Sequence, residues 1–207
     1  MIVAGATVFY KEIEMRTKAF WLLLTLAALL LGACGPIIGG IMVAGTGVKE
    51  FRVTGGNLAA LRPGAKLAII GPFDKTAEAF YICRGEDDAA FAGSFRQTGL
   101  FAAELAIPDR FPKQLPKAAD WRGKSSTEVQ QALRLNAPPD YVMSGTILRR
   151  EMVAAPMQGV IMKVAFRLDF LELASGRITS VEISAEDLFQ DAIPTIVREL
   201  AQQIRRR

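Results

Sequence analysis

Hydrophobic and polar positions alternate with different periods along this chain, and the periods predict its elements. Lys66 to Phe73, KLAIIGPF, is a continuous apolar run closed by Gly71 and Pro72, the pattern of a strand buried on both faces. Glu86 to Thr98 places Ala89, Ala90, Phe91 and Phe95 at helical spacing, with Glu86, Asp87 and Asp88 in the first turn and Gly99 just past the end, which predicts a helix. Leu100 to Ile107, stopped by Pro108, predicts a second strand. The stretch from Asp109 to Lys124 carries Pro112 and Pro116 with little periodicity and reads as loop. Ser125 with Glu128 three residues on is a capping-box pattern opening a short helix through Val129, Ala132, Leu133 and Leu135. Tyr141 to Arg149 predicts a third strand. From Val160 to Leu173 the alternation is strict: Val164, Phe166, Leu168 and Phe170 point one way, and Lys163, Arg167 and Asp169 the other. Ala174 to Arg177 supplies a turn and Ile178 to Ala185 the returning strand. Asp191 is placed to cap a closing helix with the stripe Ile193, Ile196, Val197, Leu200 and Ile204. The fold class expected is α/β or α+β, with helices covering a mixed sheet of about five strands.

Ahead of this domain lies a different pattern. From Met15, two cations at Arg16 and Lys18 precede an apolar stretch from Ala19 to Leu31, interrupted only by Thr25 and ending in small residues. A charged n-region, an h-region of this length and a small-residue cleavage site make a secretory signal, expected over residues 15–33. Leu31-Gly32-Ala33-Cys34 resembles the lipobox of bacterial lipoproteins. That resemblance implies signal-peptidase recognition at Leu31, Gly32 and Ala33, cleavage after Ala33, and a covalent lipid on Cys34 whose chains together hold the protein to a membrane. Residues 1–14, with Lys11, Glu12 and Glu14, are odd before such a signal and read as an upstream extension, with Met15 as initiator. The competing reading is an uncleaved inner-membrane anchor, since apolar and glycine residues continue to Gly47. Against it, Gly35, Pro36, Gly39, Gly40, Gly45 and Gly47 suit a flexible tether, expected over residues 34–63 and leaving residues 64–207 as the folded domain. Ile37, Ile38, Ile41, Met42 and Val43 in that tether would rest at a bilayer surface or against a neighbouring subunit. Gly35 stands where the inner-membrane retention signal would be Asp, so the family rule favours the periplasmic face of the outer membrane.

Composition changes this picture mainly by exclusion. The chain is 51% hydrophobic with mean hydropathy +0.24, an excess concentrated before residue 50. A net charge of +4, with no basic run interleaved with aromatics, gives nucleic-acid binding no support beyond Arg205, Arg206 and Arg207, which oppose a helix dipole. The absence of histidine excludes Ser-His-Asp and Cys-His catalysis and His-ligated zinc. Cys83, left single once Cys34 is lipidated, is expected to be a buried apolar thiol. Gly123-Lys124-Ser125 resembles the end of a phosphate loop, but Ala118 stands where its first glycine would be, so a loop entering a capped helix is expected. Asp169 and Glu172, near Arg167 and Lys163, read as solvated charge pairs. No catalytic residue, metal site or cofactor beyond the Cys34 lipid is expected.

Three passages, KLAIIGPF at 66–73, DYVMSGTI at 140–147 and FRLDFLELASGRITS at 166–180, together with the element order, resemble a group of periplasmic lipoprotein domains related to the N-terminal domain of TolB. CsgG of the curli exporter, PelC of exopolysaccharide export and the synthase activator LpoB belong to that group. The resemblance implies a non-enzymatic outer-membrane accessory in assembly or export, working through contacts with an envelope protein, with homo-oligomerisation open. The alternatives are a tethered activator of a peptidoglycan synthase and an inner-membrane-anchored periplasmic binding domain. Segments able to form a CsgG-like pore have no counterpart, and Glu78 to Gly85 could add an edge strand.

Overall fold

The computed structural model describes residues 46–79, 86–107, 115–155 and 159–206, which belong to one unit beginning at Thr46. The expected signal segment, its lipobox Leu31, Gly32, Ala33 and Cys34, the upstream extension and Cys83 lie outside the described residues. Among the described residues, six strands and three α-helices form a mixed α+β fold. The strands are β1 (Gly47–Gly55), β2 (Lys66–Lys75), β3 (Ala102–Ala106), β4 (Tyr141–Ala155), β5 (Gly159–Glu172) and β6 (Ile178–Leu188). The helices are α1 (Asp87–Thr98), α2 (Ser126–Leu133) and α3 (Ala192–Arg205). The sheet order is β1-β6-β5-β4-β2-β3, antiparallel from β1 to β4 and parallel from β4 through β2 to β3.

The sheet buries both faces unequally. On the larger side, Leu67, Ile69, Met143, Phe166, Leu168, Phe170, Val181 and Ile183 pack under Phe91 and Phe95 of α1 and the apolar stripe of α3. Edge-to-face rings recur in this core: Phe91 meets Phe166 at 5.0 Å and Phe95 meets Phe101 at 5.5 Å between centroids, geometry that suits the ring quadrupoles. The Tyr141 hydroxyl, buried with the ring, donates to the Ala60 carbonyl at 2.6 Å, so its polar tip is satisfied. On the smaller side, Ala68, Ile70, Val142 and Leu171 are covered by Val129 of α2 and by Ala118 in a short 3-10 turn. The Ala118 N–H donates to Ser144 Oγ at 2.9 Å, which pins that turn to β4.

Local chemistry sets the element ends. Ser125 Oγ accepts from the Glu128 N–H and the Glu128 carboxylate accepts from the Ser125 N–H, the expected capping box. Gly99 closes α1 at φ 62°, a left-handed cap that favours glycine. Asp191 sits at the start of α3 but its side chain makes no capping bond; the Thr195 hydroxyl is held instead by Asp187 at 2.6 Å. In α1, Ala89 and Ala90 face outward, and the buried stripe is Phe91, Ala92 and Phe95.

The domain starts earlier than the residue 64 expected from glycine content. Residues 47–55, assigned to the tether, form β1 against β6, with Val48, Phe51 and Val53 packed on the core. A bulge between Val48 and Glu50 inserts one residue, and this keeps Val48 on the same face as Phe51 and Val53. No helix among the described residues is long and apolar enough to cross a membrane.

Candidate functional site

A second bulge builds the most distinctive site. In β4 the register against β5 slips between Ile147 and Arg149, which exchanges the faces of all later residues. The Thr76 N–H and hydroxyl hold the Ile147 and Leu148 carbonyls at this point, at 3.1 and 2.5 Å. As a result Arg149 faces solvent, where it pairs with Glu151, and Arg150 turns under α1. The Arg150 side chain is 5% exposed and donates through Nη2 to Asp87 Oδ1 at 2.5 Å. Its Nε points at the Met162 sulfur, 3.2 Å away.

Around this pair lies a groove of about 530 Å³ that runs along α1 from Glu86 to Gln97 and meets the N-terminal end of α3, with Met152, Met162, Phe189, Ile193 and Pro194 as its apolar side chains. Asp87 Oδ2 is buried with no hydrogen-bond partner among the described residues. Burial pushes the Asp87 carboxyl above its ordinary value, while the Arg150 guanidinium pulls against it. Asp88, the next residue, is also buried, and a Cβ on Gly71 would fall 1.9 Å from its Oδ2. Two of the three acids at the start of α1 are therefore buried. Glu86, Ser94, Gln97 and Gln190 share the lining with the apolar side chains, so the groove is of mixed character with the charge pair at its base.

The other sequence candidates resolve into structural roles. Asp169 accepts from the Ser180 hydroxyl at 2.6 Å. Glu172 holds Ser175 and Arg177 across the β5–β6 turn, and both bonds lower its carboxyl below the ordinary range. Arg167 pairs with Glu182 and Lys163 with Glu186, so the four charges near one another in sequence each find a partner elsewhere. Gly123-Lys124-Ser125 leads into the capped α2. Arg205 donates to the Thr98 carbonyl at 3.1 Å, serving the C-terminal end of α1 in addition to its own helix. Among the described residues no group of three or more His, Cys, Asp or Glu side chains is gathered as metal ligands.

The small Ser144-Gly145-Thr146 segment has a packing reason. A Cβ on Gly145 would meet the Phe73 ring at 2.4 Å, so the ring lies directly over β4. Asp87, Arg150 and the groove were missed by reading β4 as ending at Arg149; the apolar Met152 and Val153 beyond it were the available signal.

No family model matches the chain, and no curated protein matches it. Among solved structures, it is similar to a PelC dodecamer from Paraburkholderia phytofirmans, with 18% identity and a TM-score of 0.42 over 75% of this chain and 93% of that one. It is also similar to a DUF330 protein from Xanthomonas campestris, with 14% identity and a TM-score of 0.40 over 75% of this chain and 95% of that one.

Proposed function

We propose that this chain is a lipid-anchored envelope protein, held at the periplasmic face of the outer membrane through Cys34, that acts as a non-enzymatic accessory in assembly or export. The observation that carries the reading is Leu31-Gly32-Ala33-Cys34 directly after a charged and then apolar segment. The position of β1 supports it: the first strand begins at Gly47, so residues 35–46 are left as a tether of at most about 40 Å. A tether of that length keeps the domain beside its membrane and weighs against an activator that must reach enzymes across the periplasm. The partner would be an envelope protein or a second copy of this chain, met through the exposed surface of the domain. Metabolic palmitate labelling of the full chain and of Cys34→Ala, followed by separation of inner and outer membranes, tests the reading. Label on the unsubstituted chain alone, in the outer-membrane fraction, is expected; an unlabelled precursor-length chain in the inner membrane would replace it with the transmembrane anchor.

A further inference from the structure

At the end of the sheet where β4, β5 and β6 run level, past the last residue of β4 paired with β2, apolar side chains reach the surface. Met152, Val153 and Val160 are 44%, 47% and 42% exposed. Phe189, just after β6, is 53% exposed and joins them, its N–H donating to the Val160 carbonyl at 2.8 Å. Large apolar side chains scattered singly over a surface are ordinary, but four at one corner call for an occupant.

The sheet register indicates which occupant. Gly47 lies opposite Glu186, Glu186 opposite Lys163, and Lys163 opposite Glu151. The segment leading from Cys34 therefore joins the sheet level with Glu151, one residue before the apolar tip and three strands away, about 15 Å across the sheet. Residues 35–46 keep this end of the domain within about 40 Å of any bilayer that holds Cys34. The turn at Gly176 lies at the opposite end of the same strands.

We infer that Met152, Val153, Val160 and Phe189 seat in the lipid surface as a second membrane contact, an inference that rests on the lipid-anchor reading above. The depth of this contact is set by what lies behind the tip. The ion pairs Arg149–Glu151 and Lys163–Glu186 form a charged collar, and β2 pairs with β4 only as far as Ile147. Backbone groups along an open strand edge need water or headgroup partners, so the tip rests in the interfacial layer and stops short of the hydrocarbon. Acyl chains alone would leave the domain turning freely on its tether. The tip fixes its orientation, with the Asp87–Arg150 groove toward the membrane and the Gly176 end toward the periplasm.

The test uses the full lipidated chain in a Cys83→Ala background, reconstituted into phosphatidylethanolamine and phosphatidylglycerol vesicles. One environment-sensitive dye is attached at Val153→Cys or, as control, at Ala174→Cys in the exposed β5–β6 turn. Both positions are outside the core, so neither label disturbs packing. The dye at position 153 is expected to emit at shorter wavelength and to be quenched by lipids carrying a nitroxide near the headgroup, and the dye at 174 to do neither. Equal, unquenched emission at both sites, with mass spectrometry finding lipid on Cys34, would overturn the inference and leave the anchor standing. A short-wavelength dye at 153 that lipid nitroxides do not quench would also overturn it, because a protein surface then covers the tip. A chain without lipid on Cys34 would remove the anchor reading and this inference together.

Discussion

Arg150 and Asp87 show what one buried ion pair demands of its surroundings. Each side chain is about 5% exposed, so desolvation is nearly complete and the 2.5 Å contact must offset it. Removing one partner strands the other: Arg150→Met is expected to cost about 3–5 kcal/mol, read by urea denaturation followed by circular dichroism. Adding Asp87→Asn to Arg150→Met should recover most of that loss, because no uncompensated charge then remains. The pH dependence has a definite sign. The folded-state carboxyl of Asp87 already lies above its unfolded value of 3.8, and losing the guanidinium raises it further. The folded state then binds the proton more tightly, so the loss in Arg150→Met is smallest below pH 3.8, grows as pH rises, and levels off above the folded value. A loss that instead grew on acidification would mean that Asp87 is held ionised by some other group.

At the scale of elements, two bulges decide both the shape and how much of it could be read beforehand. Strict alternation exposed β5 and its partner β6 because neither is interrupted within the predicted span, and a capping box and an apolar stripe marked α2 and α3. In β1 the inward residues are Val48, Phe51 and Val53, a spacing that the bulge near Lys49 creates and that matches no simple period, so glycine content alone suggested tether. In β4 the bulge brings Arg150 inward where period two would bring Arg149. The buried pair was consequently illegible, since a charged residue on the expected outer face looks like solvent-facing surface, and only the apolar Met152 and Val153 signalled that the strand runs on. Gly145 lies on the regular part of β4, and there the packing fixes the residue type. Gly145→Ala drives a methyl group into the Phe73 ring and is expected to destabilise by about 1–3 kcal/mol in the same denaturation measurement. An unchanged midpoint would mean that Phe73 can swing aside within the core.

For the whole molecule, the placement of the first strand governs how far the domain stands from the residue expected to anchor it. If the folded unit began at residue 64, the tether would reach about 100 Å extended; beginning at Thr46, it reaches about 40 Å. The two boundaries predict different behaviour on truncation. A chain begun at Thr46 keeps β1 and should unfold in one cooperative transition. A chain begun at Gly56 loses the half-buried Val48, Phe51 and Val53, about 1 kcal/mol for each on an area basis, and uncovers the long edge of β6. An exposed edge with Val181, Ile183 and Ala185 on one face is a template for pairing between chains, so this shorter chain is expected to aggregate in size-exclusion chromatography where the longer one elutes as a defined species. Equal stability and solubility of the two would return residues 47–55 to the tether. The apolar tip would then no longer be confined beside the membrane, because the reach between Cys34 and the first indispensable strand would more than double.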